Sequence, residues 1–374
     1  MSQYTHPAGR RTRRILTGLS AVAIPAAFAV SATTPAYAAT AAQVSVVGGT
    51  TMVYSGGVGN TNNVVVSREN GVLTVTDLAS LAVGPGCQLV SRSKAQCGVA
   101  VTQVSMALGD QNDKVRVDVA LSGFIDGQEG DDTFSVNYSG TGLSRLTYDG
   151  GAGSSDAMDY SFSPVGVVAS LDDVANDTGV GHRDNVRPTV EHLVGSQSSD
   201  TLVGSGARNV IDGGQGNDTM LGLGDADKFL TSNRPDGADS ISGGAGLDTI
   251  SYQARGRAVS VSTDNLAGDG EPAERDNVGS DVESLIGTEF ADTLFGGSLA
   301  NTLHGRGGDD VIAGAAGPDL IFAGTGADRV SGGTGDDQLL LNRDGEQDVL
   351  DCGANSDTVN RESLDSPIGC EKQV

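Results

Sequence analysis

Carboxylates return at a fixed interval in this chain, and that interval is its most informative chemistry. From Gly287 to Leu340 a nine-residue unit recurs without a slip, with Asp292, Asn301, Asp310, Asp319, Asp328 and Asp337 at its sixth place. A shorter run from Gly195 to Leu230 carries Asp200, Asn209, Asp218 and Asp227 at that place. The first place holds Gly195, Gly204, Gly213, Gly222, Gly287, Gly296, Gly305, Gly314 and Gly332, with Ala323 in the remaining unit. No sulfur or imidazole falls at the first or sixth place, so the donors available there are oxygens. An all-oxygen site suits Ca²⁺, which accepts roughly six to eight such ligands, better than Mg²⁺, which demands stricter geometry and keeps its waters.

The elements that must hold these oxygens follow from the rest of the unit. Its eighth place is always apolar: Leu202, Ile211, Met220 and Phe229, then Leu294, Leu303, Ile312, Ile321, Val330 and Leu339. Only 37% of the chain is apolar, so ten apolar residues at ten such places are not chance. Glycines at the first, second and fourth places permit positive φ and let main-chain carbonyls crowd inward, where side chains would clash. The turn thus becomes a cage of oxygens, which a carboxylate completes.

The copies Gly305-Arg-Gly-Gly-Asp-Asp-Val-Ile-Ala and Gly332-Gly-Thr-Gly-Asp-Asp-Gln-Leu-Leu resemble the repeats-in-toxin (RTX) nonapeptide, Gly-Gly-x-Gly-x-Asp-x-U-x with U apolar. The resemblance implies an all-β fold, a calcium-dependent parallel β-roll in which two units make one coil. Aspartates eighteen residues apart then stack, Asp292 with Asp310 and Asp328 on one edge, Asn301 with Asp319 and Asp337 on the other. On that geometry Asp310 serves two stacked neighbours and Asp337, as the last copy, only one.

Composition supports an exported, cation-seeking protein. The formal net charge is -25, with 55 Gly, no Trp and 4% aromatics, and the pI is near 4.2. Such a surface repels nucleic acid and anionic membranes and attracts cations. Residues 1–38 read as a secretory signal: Arg10, Arg11, Arg13 and Arg14, an apolar run from Ile15 to Val30, and a small-residue cleavage site at Ala36-Tyr37-Ala38. Thr12 to Leu16 partly match a twin-arginine signal, whereas the general pathway better suits a protein that folds only on extracellular calcium. Residues 39–108 read as short strands forming a small N-terminal β region, either a sandwich or a continuation of the solenoid. The four cysteines allow three pairings, and the local ones, Cys87–Cys97 and Cys352–Cys370, are expected in a secreted chain.

Residues 109–160 hold degenerate copies that place Asp113 and Asp132 as further ligands. A larger repeat, offset by 92 residues, relates Asp156 to Asp248, Asp177 to Asp269, Arg183-Asp-Asn-Val to Arg275-Asp-Asn-Val, and Glu191 to Glu283. The chain is thus a duplicated module: connector 161–194 and array 195–252, then connector 253–286 and array 287–340, closed by a repeat and disulfide cap at 341–374. Asn233 to Asp248 recurs as Asn342 to Asp357, which adds Asp239, Asp248 and Asp357 to the expected ligands. The connectors contain strand-like Val165 to Leu171 and Ala258 to Thr263, followed by acidic loops. Those loops read as solvated bulges, with a cation site at Asp172, Asp173, Asp177, Asp264 and Asp269 as the alternative.

His6, His182, His192 and His304 form no His-Glu-x-x-His, and no Gly-x-Ser-x-Gly occurs. The expectation is a non-enzymatic, monomeric, extracellular calcium-binding module that folds on binding several ions and meets a cell-surface or matrix partner, without nucleic acid or membrane insertion. The alternative is an extracellular hydrolase whose active site has no recognised motif.

Overall fold

The computed structural model describes residues 40–137, 142–177, 182–361 and 363–373; the signal segment expected at 1–38 lies outside them. The described chain is all β, mostly parallel, and is wound as a solenoid with two walls. One wall is a single uninterrupted sheet. Its parallel strands run from Asn63–Glu69 through Lys114–Val117, Thr133–Val136, Ala157–Asp159 and His192–Val194 to Thr358–Asn360 and Lys372–Gln373. The opposite wall is built from three sheets in succession. The first ends on Asn185–Val186, the second runs from Val168–Ser170 to Asn277–Val278, and the third from Ser260–Ser262 to Ser366–Ile368.

Residues 40–108 continue the solenoid rather than forming a separate sandwich. Thr51–Ser55 pairs in parallel with Gln103–Gly109 on one wall, and Asn63–Glu69 with Lys114–Val117 on the other. Antiparallel pairing of whole strands is found at this end, where Val72–Asp77 lies between Asn63–Glu69 and Lys94–Gln96, which turns back on Gln88–Ser91; the connectors add isolated antiparallel bridges, Asp177 with Asp184 and Asp269 with Asp276. The Cys87–Cys97 disulfide closes that hairpin, and Cys352–Cys370 closes the last coil. The outermost strands of the last coil, Ser366–Ile368 and Lys372–Gln373, are short, which limits the edge they present.

In the arrays the core is a column, one residue wide on each wall, whereas earlier strands bury pairs such as Val64 with Val66 and Val115 with Val117. In a three-residue strand only the central side chain points inward, and these are the eighth-place residues: Leu202, Ile211, Phe229, Leu294, Leu303, Ile321 and Leu339 are all fully buried. Burying one such side chain contributes about 1.5–3 kcal/mol, the same order as ordering one or two of the nine residues that accompany it. Apolar packing alone leaves the turns without a sufficient stabilising term.

The glycines divide by role. Those at the second and fourth places hold positive φ, as in Gly333 (φ 108) and Gly326 (φ 131), with Gly297 the exception. The first-place glycines do not, which corrects the expectation that they serve the same purpose: they are required for space. A methyl on Gly314 would fall 2.2 Å from Asp319 Oδ2 and 2.7 Å from the Gly332 carbonyl oxygen. Gly326→Ala, with its left-handed φ and the Gly308 carbonyl 2.1 Å from the added carbon, is expected to destabilise by about 1–3 kcal/mol. Gly206→Ala, where the added carbon meets nothing within 4 Å, should stay within about 1 kcal/mol of the parent. Thermal unfolding of the two variants in excess calcium checks the contrast.

Candidate metal centre

The sixth-place side chains form hydrogen-bonded ladders along the edges of the walls. Each carboxylate uses one oxygen to accept the backbone N–H of its counterpart one coil earlier. Asp310 Oδ1 accepts from Asp292 N–H at 2.7 Å, Asp328 from Asp310 at 2.9 Å, Asp319 from Asn301 at 2.7 Å, and Asp337 from Asp319 at 2.9 Å. In the earlier array Asp218 accepts from Asp200 at 2.8 Å and Asp227 from Asn209 at 2.7 Å. Asp is the residue that fits: its short side chain reaches one strand spacing, and a charged acceptor makes such a bond about twice as strong as a neutral one.

The ladders outrun the nonapeptides at both ends. Asp218 and Asp227 donate onward to Asp239 and Asp248, each at a spacing of 21 residues. Asp337 N–H bonds Asp357 Oδ1 at 2.9 Å, and Asp357 N–H bonds Glu371 Oε2 at 2.9 Å. Asp337 is therefore an interior member, and the expectation that it serves one neighbour where Asp310 serves two does not hold. On the other edge Asp328 passes to Asp348 and then to Asp365. Along the unbroken wall every run opens on an asparagine and closes on a glutamate. Asn209 leads to Glu283 and Asn301 to Glu371, with Asp248 N–H meeting Glu283 Oε2 at 2.9 Å. Asn301 then restarts the series by donating its amide to the Glu283 carbonyl at 3.2 Å.

The second carboxylate oxygen is what sets these residues apart. Oδ2 of Asp218, Asp227, Asp248, Asp310, Asp319, Asp328, Asp337 and Asp357 is buried with no hydrogen-bond partner, and the same is true of Asp113, Asp132 and Asp156. An unsatisfied buried acceptor costs about 1–3 kcal/mol and more when charged, so a series of them marks a space that requires a positive charge. Burial pushes Asp310 and Asp218 up to about 8. It pushes Asp227, Asp319 and Asp328 up to about 7, against the lowering effect of the ladder N–H bonds. At Asp227, Asp248, Asp310, Asp319 and Asp337 a methyl on the first-place glycine would meet both Oδ2 and a carbonyl of the next coil, which locates the two side by side. Among the described residues no three acidic, histidine or cysteine side chains converge. The donor set is thus main-chain carbonyls completed by carboxylates, which fits Ca²⁺ and not a sulfur- or imidazole-seeking ion.

The opening turns of each array differ. Asp200 Oδ2 accepts Ser196 N–H at 2.5 Å and Asp292 Oδ2 accepts Thr288 N–H at 2.5 Å. The Asn209 and Asn301 amide oxygens accept Ser205 and Gly297 N–H at 2.7 and 2.8 Å. Ser196 and Thr288 add hydroxyl bonds to the same carboxylates, each at 2.9 Å. In these turns the space that is open elsewhere is closed by the protein's own donors. Asp239 keeps its ladder bond and is not among the unbonded oxygens.

The connectors are splices. Asp177 accepts Ser170 N–H at 2.7 Å and Val186 N–H at 2.7 Å, tying the first strand of the second sheet to the last strand of the first. Asp269 does the same for Ser262 and Val278, at 2.7 and 2.9 Å. Both carboxylates are buried, which corrects their reading as part of solvated loops and leaves them no free face for a cation; the flanking Asp172, Asp173 and Asp264 are exposed. The second splice also buries an ion cluster: Arg255 Nη2 lies 2.5 Å from Asp236 and 2.6 Å from Glu274, with the arginine and glutamate side chains fully buried. The equivalents 92 residues earlier are Ser163, Ser144 and His182. There Ser144 N–H donates to His182 Nδ1 at 3.1 Å, as Asp236 N–H donates to Glu274 at 3.1 Å. Arg255→Ser alone is expected to cost about 3–5 kcal/mol by leaving buried carboxylates unpaired. Adding Asp236→Ser and Glu274→His should recover most of it, as read by denaturant unfolding in calcium.

Sequence reasoning missed Asp348, Asp365, Glu283 and Glu371 as ladder members, along with Asp276, whose Oδ1 accepts Asp239 N–H at 3.0 Å, and Asp156 and Glu191, which accept Asp132 and Asp156 N–H. Asp348 was within reach, since the repeat that pairs Asp248 with Asp357 also pairs Asp239 with Asp348. Comparison with known proteins bears on the same stretches. The family model for the RTX calcium-binding nonapeptide repeat matches four times, at residues 194–229, 236–252, 286–321 and 304–339. No curated protein matches the chain.

Proposed function

Starting from the premise that this chain is an RTX repeat protein, and so a Ca²⁺-binding one, we propose that it is an exported module whose arrays fold on calcium outside the cell and then serve as a stiff structural or interaction element. The observation that carries the reading is the series of buried, unbonded Oδ2 atoms in the two arrays. When bound, calcium supplies positive charge between carboxylates and carbonyls of adjacent coils. Asp218, Asp227, Asp248, Asp310, Asp319, Asp328, Asp337 and Asp357 would hold the ions. Asp200, Asn209, Asp292 and Asn301 instead close their turns with protein donors and give each array a cation-independent first coil.

Extracellular modules of this kind bind calcium at roughly 10⁻⁴ to 10⁻³ M, and several linked sites make the transition steep. The two disulfides suit an oxidising compartment. Among the described residues no helix is long and apolar enough to cross a membrane. The partner we infer is a cell-surface or matrix component meeting an acidic, calcium-bearing rod. A calcium titration followed by far-UV circular dichroism, with magnesium as control, tests the reading. A cooperative gain of β-signal with calcium alone supports it, and a spectrum unchanged from chelator to calcium removes it.

An extracellular hydrolase is the second reading, and one contact favours it: Ser155 Oγ lies 3.3 Å from His192 Nε2. Burial lowers the His192 pKa. Among the described contacts no carboxylate bonds the other ring nitrogen to orient it. Covalent labelling of Ser155 by a serine-reactive phosphonate would support this reading over that of a non-enzymatic module.

A further inference from the structure

We propose that Asn62, Asp113, Asp132, Asp156 and Glu191 line a third cation-binding column, outside every stretch that the repeat family matches. The proposal rests on the reading that unbonded ladder oxygens mark cation seats, and extends it to a region where the sequence carries only degenerate copies of the nonapeptide and points to Asp113 and Asp132 alone.

Three observations carry it. The first is the ladder itself: Asn62 N–H bonds Asp113 Oδ1 at 2.6 Å, Asp113 N–H bonds Asp132 at 2.7 Å, Asp132 N–H bonds Asp156 at 2.6 Å, and Asp156 N–H bonds Glu191 at 2.9 Å. This run opens on asparagine, continues through aspartates and closes on glutamate, as do the two runs that follow it on the same wall. Its sequence spacings are 51, 19, 24 and 35 residues, which is why no period reveals it.

The second observation is that Oδ2 of Asp113, Asp132 and Asp156 and Oδ1 of Asn62 are buried without a partner, on residues whose exposure is 0%. No serine, threonine or backbone donor closes these turns as Ser196 and Thr288 close theirs. The third is the cradle. A methyl on Gly127 would fall 2.1 Å from Asp132 Oδ2 and 2.3 Å from the Gly150 carbonyl oxygen, and one on Gly150 would fall 2.6 Å from Asp156 Oδ2 and 2.2 Å from the Thr189 carbonyl oxygen. This is the pairing of carboxylate and next-coil carbonyl that Gly314 shows in the matched array. The ligand is a hard, oxygen-seeking divalent cation of calcium's size, and the column gives the part of the chain preceding the arrays the same dependence on it.

The test is hydrogen exchange with mass-spectrometric readout on the full chain, titrated with calcium chloride from chelator. In the parent, amides of residues 110–157 gain protection with calcium, as do those of 286–339. Asp132→Asn keeps an acceptor for the Asp113 N–H but replaces the unbonded oxygen with an NH₂ group. It should raise the calcium concentration needed to protect 110–157 by about tenfold, the weight of one charged contact, and leave 286–339 unchanged. Asp156→Asn provides a second variant, and Asn209 and Asn301 show that this edge accepts an amide. If 110–157 is equally protected in chelator and in calcium while 286–339 responds, the third column is overturned and the arrays stand. If neither segment responds, the reading of the arrays fails as well, and with it this proposal. Loss of protection in 110–157 in both variants at saturating calcium, without a calcium-dependent midpoint, would assign these aspartates a purely structural role.

Discussion

In chelator the protein should fold at about pH 5 and be unfolded in its arrays at about pH 8, so that acid substitutes for calcium. Burial raises Asp310 and Asp218 to about 8, and Asp132, Asp227, Asp319 and Asp328 to about 7, from an unfolded value of 3.8. Between those limits the calcium-free folded state binds more protons than the unfolded one. Its stability is therefore greatest at the acid end and falls as pH rises through the folded values. Above them the ladder carboxylates of the arrays are charged and face chiefly one another, with Arg208 offsetting part of this at Asp227 and Arg255 at Asp239. Calcium restores the fold at the alkaline end because it neutralises the same oxygens that protons neutralise at the acid end. Its apparent affinity should accordingly fall as pH falls. Thermal unfolding by circular dichroism in chelator, from about pH 5 to about pH 8, reads this directly. A melting temperature that is flat or rises with pH would mean that the carboxylates are stabilised by something other than a cation or a proton.

Asp310→Asn and Asp337→Asn should shift the calcium midpoint by similar amounts, about tenfold each, while Asp292→Asn shifts it little. Asp310 and Asp337 occupy the same position in their ladders: each accepts one N–H, donates one, and holds one buried unbonded oxygen. Asp292 spends its second oxygen on Thr288 N–H and has none to offer. Alanine in place of asparagine should hurt more at Asp310, because the Asp292 N–H then loses its acceptor as well, at a further cost of about 1–3 kcal/mol. Calcium titrations of the four variants separate the two roles. A large shift for Asp292→Asn would place an ion in the opening turn, contrary to the hydrogen bonds that close it.

The repeated half of this fold is legible in the sequence because one short period sets everything at once: the inward apolar residue, the turn glycines and the ladder aspartate. The register of Leu303 on Ile321 and Leu339 follows from counting eighteen residues. Counting fails where loops of unequal length leave the coil, since a strand pairs by position in the wall and not by distance along the chain. Asn62 and Asp113 are neighbours across 51 residues, and no local pattern encodes that separation. The difference between open and closed turns was hidden for another reason. It depends on whether the second residue takes a positive φ, as Gly214, Leu223, Arg306, Ala315 and Gly333 do, or turns its N–H onto the sixth-place side chain, as Ser196, Ser205, Thr288 and Gly297 do. Ser196 and Thr288 carry that signal in the sequence, and it acquires meaning only once Oδ2 is seen to be bonded. The splices were the least legible part, because Asp177 and Asp269 look like any acid in a polar loop until they are found beneath it.

The most direct measurement of the central claim is the anomalous diffraction of calcium in crystals of the full chain. Ions are expected beside the unbonded oxygens of Asp218, Asp227, Asp310, Asp319, Asp328 and Asp337, in contact with next-coil carbonyls, and none in the turns of Asp200 and Asp292. Calcium peaks confined to the exposed acidic surface, with those six oxygens left unliganded, would contradict the account.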